Sequence, residues 1–244
     1  MKSILITGAN RSIGLEMVKQ FSAKGLFVYL GSRDLKKGNA VVEELTEQGF
    51  QNIKAIEIDV TSPGSIAAAK NVVESEQGKL DILINNAGIS GELPQSAITT
   101  SIEDIQEVFN TNFFGVISVT QAFLELLKKS DSPIISNITS GLGSLTLHAD
   151  PNWKYYNFKT ASYGTSKAAL NAYTIVLAYE LKDTFKINAI DPGYTATDFN
   201  HHSGPGTVES AASFIIKHTL TDENGPTGKF FSNDIEDETG ISPW

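Results

Sequence analysis

Short runs of apolar residues alternate along this chain with longer stretches patterned for amphipathic helices, and this alternation limits the fold more than any other feature. The runs are Ser3–Thr7, Phe27–Leu30, Ile53–Ile58, Ile82–Ile84, Ile134–Ile138 and Ile187–Ile190. Between them lie Ile13–Lys24, Leu35–Gln48, Ser65–Gln77, Ile102–Lys129 and Tyr163–Leu181, with apolar residues at helical spacing. Alternation without a hairpin signal predicts an α/β fold: a parallel sheet, helices on both faces and right-handed crossovers. Phe230-Phe231, following Gly225-Pro226, fits a last short strand. No linker, repeat or shift in composition divides residues 1–244, so a single domain is expected.

Charge narrows the partners. The formal charge is −9, from 28 acids against 19 Lys and Arg, which opposes binding to nucleic acid or to an anionic membrane. The acids Asp234, Glu236, Asp237 and Glu238 read as a solvated surface. The chain has no cysteine, so disulfides and thiolate metal sites are excluded and a reducing compartment suits it. Met1 is followed almost at once by Ile4-Leu5-Ile6, which argues against a signal peptide, and no apolar run is long enough to span a membrane. These features point to the cytoplasm. His148, His201, His202 and His218 show no metal-ligand spacing and read as surface or loop residues, so no metal is expected.

Thr7-Gly8-Ala9-Asn10-Arg11-Ser12-Ile13-Gly14 leaves the first strand and opens the first helix. Glycines in such a turn let the backbone approach a pyrophosphate, while the helix N-terminus offers N–H donors. The same segment also suits a plain tight turn.

Two tyrosines precede a lysine by four residues: Tyr163 before Lys167 and Tyr155 before Lys159. On a helix this spacing puts both groups on one face. A neighbouring ammonium then lowers a phenol's pKa and fits it for acid–base work on a carbonyl oxygen. Tyr163-Gly-Thr-Ser-Lys167 runs into a sustained apolar helix, whereas Asn152–Thr160 has no helical pattern. Tyr163 is therefore the expected acid/base and Lys167 its activator.

Taken in order, the glycine turn, Asn85-Asn86-Ala87-Gly88, Tyr163-Gly-Thr-Ser-Lys167 and Asp191-Pro192-Gly193-Tyr194-Thr195-Ala196-Thr197 span nearly the whole chain. Together they resemble the short-chain dehydrogenase/reductase family. Thr111-Asn112-Phe113-Phe114-Gly115 and Gly228-Lys-Phe-Phe-Ser232 look more narrowly like its carbonyl reductase branch. The resemblance implies a Rossmann-like doubly wound sheet and hydride transfer between NADP(H) and a ketone, aldehyde or quinone.

It also implies roles for particular residues. Gly8, Asn10, Arg11, Ser12, Ile13 and Gly14 would cradle the cofactor's phosphates. Asp59 would accept from the adenine amine with Val60 contributing backbone, although Asp59 also suits a capping role. Asn86, Ala87 and Gly88 would lie against the adenosine ribose. Lys167 would hold the nicotinamide ribose with Tyr163 beside the cofactor, Pro192 and Gly193 would also contact the cofactor, and Thr195 and Thr197 would contact the carboxamide. Ser140 would bond the substrate oxygen, with Ser136 internal to the strand and Thr139 facing away. Asn112 would interrupt its helix to hold a water behind Lys167.

Cofactor choice turns on the residues after the second strand. The acid that would mark NAD use falls at Ser32 and is missing. Arg33 and Arg11 are available to a 2′-phosphate, unless both are solvated surface groups, and Asp34 is placed to cap the next helix. Ser12 stands where the family has a second glycine; its side chain either crowds the phosphate or donates to it. A sensor of the same fold that binds NADP(H) with little turnover is the rival reading. A sugar-nucleotide epimerase fits the glycine spacing poorly. His201–Gly206 resembles a substrate lid. Trp153, Tyr155, Tyr156 and Phe158 suit a pocket rim or an interface, and both a monomer and a homo-oligomer remain open.

Overall fold

The structure, a computed structural model, describes residues 1–222, 224–235 and 237–244, so Glu236 of the acidic tail lies outside the described residues. One sheet carries seven parallel strands in the order β3-β2-β1-β4-β5-β6-β7. They are β1 (Ser3–Ile6), β2 (Phe27–Ser32), β3 (Ile53–Glu57), β4 (Ile82–Asn85), β5 (Ile134–Ile138), β6 (Lys186–Asp191) and β7 (Phe230–Ser232). The connecting helices are α1 (Ser12–Ala23), α2 (Leu35–Glu47), α3 (Pro63–Gln77), α4 (Ile102–Phe109), α5 (Gly115–Leu127), α6 (Leu145–Ala149), α7 (Tyr163–Leu181) and α8 (Val208–Thr219).

Successive strand residues face opposite sides of a sheet, and here each side has its own core. Ile4, Ile6, Ile82, Ile84 and Ile190 pack against Met17, Val18 and Phe21 of α1, Leu45 of α2 and Ile215 of α8. Leu5, Leu83, Ile135 and Ile187 face the other way, onto Ile66 and Val73 of α3, Phe123 and Leu126 of α5 and Leu177 of α7. Burying a side chain such as Phe21 or Phe123 contributes roughly 1.5–3 kcal/mol, so both layers hold the sheet. The strand order reverses between β1 and β4, which opens a crevice at the carboxyl ends of the strands where open α/β sheets bind ligands.

The sequence-based boundaries needed three corrections. The stretch Ile102–Lys129 is not one helix: a π-helical turn, Asn110–Phe114, separates α4 from α5. Helix α3 starts at Pro63, two residues early, because Ser62 accepts from Ser65 N and proline suits the first helical turn. Helix α8 had no counterpart in the periodicity; its small residues Ala211 and Ala212 blur the apolar stripe that packs on α1. As expected, Asp34 caps α2, accepting from Lys37 N at 3.1 Å.

His218 also departs from expectation. It is buried in α8, its ring 4.1 Å from that of Phe231 and 4.4 Å from that of Phe214. Burial pushes its pKa down to about 4. His201 and His202 are exposed and His148 is half-buried. No cluster of three potential metal-ligating His, Asp or Glu occurs among the described residues, and no helix is long and apolar enough to cross a membrane.

Candidate active site

The glycine turn sits at the reversal point. Gly8 takes φ of 63°, and a Cβ at Gly14 would lie 2.6 Å from the Gly8 carbonyl oxygen. Only glycine at position 14 lets α1 begin this close to β1. Arg11, at the N-cap, makes no side-chain bond to the helix. The first N–H groups of α1 are therefore left without a side-chain cap, the arrangement that suits a pyrophosphate.

Thr7 holds the opposite wall, accepting from Asn86 N and Ala87 N, both at 3.0 Å. Asn86 Nδ2 in turn donates to Thr7 O and Gly8 O at 2.9 and 3.1 Å. The turn and Asn86–Gly88 thus form one unit. Thr7 was not read as a site residue, because its bonds reach about eighty positions along the chain.

Ser12 resolves in a way neither expectation covered. It adopts φ of 49°, and its hydroxyl donates to Asp198 Oδ2 at 3.2 Å. Arg11 and Arg33 are both exposed beside the crevice. Ser32, in the position of the missing acid, turns inward and donates to Asp34 O at 2.9 Å. Asp59 accepts from Thr61 N and Oγ1 at 2.9 and 2.7 Å. The Thr61 backbone bond, with Arg33 nearby, holds its carboxyl below the usual range. Arg33 and Asp59 therefore share one end of the crevice. Val60 is buried just beyond.

At the other end, β5 and α7 converge. Lys167 is buried and donates from Nζ to Ile138 O at 2.8 Å, with its nitrogen 5.8 Å from the centre of the Tyr163 ring. The Ser140 hydroxyl accepts from Leu142 N at 3.2 Å, and its influence on the Tyr163 phenol opposes the rise in that group's pKa. Thr139 and Ser136 point elsewhere, onto Asn171 at 2.6 Å and Thr219 at 2.9 Å.

Asn112 sits in the π-helical turn. Its amide clamps the backbone of Ile89 with two bonds of 2.9 Å and donates to Ser166 Oγ at 3.1 Å. A Cβ at Gly88 would fall 3.3 Å from Asn112 Oδ1 and 3.7 Å from Lys167 Nζ, so both side chains close on Gly88. π-Turns gather at functional sites because they re-aim a side chain inside a helix.

The electrostatics run against the expected depression of the tyrosine. Burial raises the Tyr163 pKa, Asp191 adds to the rise, and only Ser140 opposes it. Burial also lowers Lys167 to about 8, with Asp191 holding it up. Desolvation of the phenolate outweighs the ammonium because the two groups are not in direct contact.

The Tyr155–Lys159 pair does not form. Residues 151–162 are turns; Lys159 donates to His148 O at 2.7 Å and stacks over Tyr156, 4.1 Å from its centre. Tyr155 packs instead between Trp153 and Tyr194, at 5.3 and 5.8 Å. Phe199 packs 5.4 Å from the Tyr163 ring. The segment leaves Val176 and Tyr179 of α7 exposed, at 53% and 72%.

Beyond β6, Pro192 and Gly193 lead into a loop that closes on itself. Thr195 donates to Pro192 O and Gly193 O at 3.3 and 3.2 Å, and Thr197 forms a capping box with Asn200. Ala196 N reaches Gly206 O at 3.0 Å and Gly206 N reaches Tyr194 O at 3.1 Å, tying off the His201–Gly206 segment.

A doubly wound parallel sheet with a glycine turn at its reversal point, and a Ser, Tyr and Lys gathered at the end of β5, defines a dinucleotide-dependent oxidoreductase. Residues 2–207 match the family model for short chain dehydrogenases, and the chain belongs to that family. It is 31% identical over 293 residues to salutaridine reductase of Papaver bracteatum, covering 95% of this chain and 94% of that one. To (+)-neomenthol dehydrogenase of Capsicum annuum it is 30% identical, covering 93% and 94%. The NADPH-bound carbonyl reductase from chicken fatty liver superposes with a TM-score of 0.85 at 27% identity, over 100% of this chain and 99% of that one.

Proposed function

We propose that this enzyme reduces the carbonyl group of a small-molecule ketone, aldehyde or quinone with NADPH, and runs the reverse oxidation with NADP. The observation that carries the site assignment is the meeting of Ser140, Tyr163 and Lys167 at the carboxyl end of β5. The cofactor, when bound, supplies the hydride. The glycine turn and the α1 N-terminus would hold its pyrophosphate. Arg33 and Arg11 would take the 2′-phosphate, Asp59 the adenine and Thr195 and Thr197 the carboxamide.

The protein's own part is to place the carbonyl and deliver a proton. Ser140 donates a hydrogen bond to the carbonyl oxygen. The Tyr163 phenol gives its proton to that oxygen as negative charge develops there. The raised phenol pKa keeps this proton in place at neutral pH until charge develops on the carbonyl oxygen. Lys167 would hold the nicotinamide ribose, and its ammonium offsets the phenolate left behind. Asn112 fixes Ile89 and Ser166 around it. Tyr155, Tyr194 and Phe199 offer aromatic contacts to a substrate.

We read residues 1–244 as one dinucleotide-binding and catalytic domain, since strands from Ser3 to Ser232 share one sheet. The cysteine-free composition supports placing it in the cytoplasm. The exposed Val176 and Tyr179 leave α7 available for self-assembly. The test is a screen of NADPH oxidation over ketones, aldehydes, quinones and sugars, run beside Tyr163→Phe. Turnover that requires Tyr163 is expected; cofactor binding without turnover on any class would favour a sensor instead.

A further inference from the structure

Asp191 ends β6 with its side chain only 3% exposed. Its carboxylate accepts from Gly193 N at 3.0 Å and from Ser232 Oγ at 2.6 Å. Both donors are uncharged, and no salt bridge reaches this carboxylate among the described residues. Its position is specific. Ile190, the residue before it, pairs in register with Ile138, whose carbonyl holds the Lys167 ammonium. Gly141 directly follows Ser140, and a Cβ there would lie 3.3 Å from Asp191 Oδ2.

The charge thus sits one strand away from the Lys167 anchor and beneath the Ser140 turn. The titratable groups facing it are Tyr163 and Lys167 from α7, Tyr155 from the aromatic segment and Asp234 after β7. Asp234 is itself paired with Lys154 at 3.1 Å.

We propose that Asp191 is a positioning residue whose buried charge keeps Lys167 in its ammonium form, the form that offsets the phenolate left when Tyr163 donates its proton in carbonyl reduction. A negative charge in a low-dielectric site favours the ammonium and opposes the phenolate, so its benefit to donation comes through Lys167. The shifts follow: Asp191 contributes to the rise at Tyr163 and counters the fall at Lys167, and its own carboxyl is raised to about 6 by burial. The inference rests on Tyr163 being the proton donor.

The test compares the parent with Asp191→Asn and Asp191→Ser, which remove the charge in two shapes, and with Ser232→Ala, which removes an anchor and keeps the charge. The Lys167 ammonium is titrated by NMR of nitrogen-labelled lysine, assigned through Lys167→Arg. The alkaline limb of NADPH-dependent carbonyl reduction is followed in parallel. Both neutral variants should lower the Lys167 midpoint and the alkaline limb by about one pH unit, while Ser232→Ala leaves both in place. An unmoved midpoint in the neutral variants, an equal shift in Ser232→Ala, or failure of both neutral variants to fold would overturn the proposal. A Tyr163→Phe enzyme that keeps its turnover would overturn the donor assignment instead, with the Lys167 titration still deciding the charge coupling.

Discussion

Gln95 accepts hydrogen bonds from the backbone N–H groups of Ser162 and Tyr163, at 3.1 and 3.0 Å, across 67 and 68 residues of sequence. Ser162, at the N-cap of α7, makes no side-chain cap of its own. The start of the helix that carries the phenol is therefore held by a residue from the segment after β4. Gln95→Ala leaves two donors unpaired in a buried place, a cost of about 1–3 kcal/mol. Thermal unfolding should fall accordingly. The turnover number should drop further than cofactor affinity, because the displaced group is the phenol. A variant with parental unfolding temperature and turnover would show that α7 does not depend on this cap.

Tyr163 and Tyr155 should separate cleanly. A positioned acid contributes roughly 10²–10⁴-fold, so Tyr163→Phe should lower turnover by at least the smaller factor while NADPH still binds. Tyr155→Phe keeps the ring that stacks on Tyr194, and only the substrate Michaelis constant should respond. Both variants are measured with one substrate, and cofactor affinity by fluorescence. A dead Tyr155 variant beside an active Tyr163 variant would reverse the assignment.

Arg33→Ala should discriminate between cofactors. A charge-assisted bond to a phosphate contributes about 1.5–3 kcal/mol, equivalent to an increase of about 10- to 150-fold in the NADPH Michaelis constant. The NADH constant should hardly change, since NADH has no 2′-phosphate. Equal use of both cofactors by the parent enzyme would contradict the role given to Arg33.

Ser12→Gly removes a side chain from a left-handed backbone position, φ 49°. Strain relief of about 1 kcal/mol opposes the loss of a hydrogen bond to Asp198, about 0.5–1 kcal/mol at an exposed site. Stability should be unchanged or slightly higher, and activity within several-fold of the parent. Loss of NADPH binding would instead make Ser12 a phosphate ligand.

His218 should make the fold sensitive to mild acid. Its folded pKa of about 4 lies below the ordinary 6.5, so the unfolded chain binds a proton that the native state refuses. The stability it contributes is present above pH 6.5 and is lost as pH falls toward 4, roughly 3 kcal/mol in all. Asp191, raised to about 6 from 3.8, acts oppositely: its contribution is present below pH 3.8 and is lost as pH rises through 6. The parent's curve is therefore partly flattened between these values. His218→Leu should remove the histidine's loss, so that its denaturant midpoint falls less from pH 7 to pH 5 than the parent's. A parental acid slope in that variant would exclude His218 as its source.

The sequence alone determined the sheet, most of its helices and the glycine turn, and it favoured Tyr163 over Tyr155 for the role of proton donor. These follow from local signals: residue spacing that matches one strand or helix period, and glycine where the backbone must come close. The tertiary structure decided what local spacing cannot carry. It split Ile102–Lys129 at Asn112, turned Ser12 toward Asp198, buried His218 between two phenylalanines and brought Thr7, Gln95 and Asp191 into the site. Each of these depends on partners from distant parts of the chain, often on other strands. Burial also reversed the expected direction at Tyr163, because the cost of desolvating a charge is set by everything packed around it, and a four-residue spacing records only one neighbour.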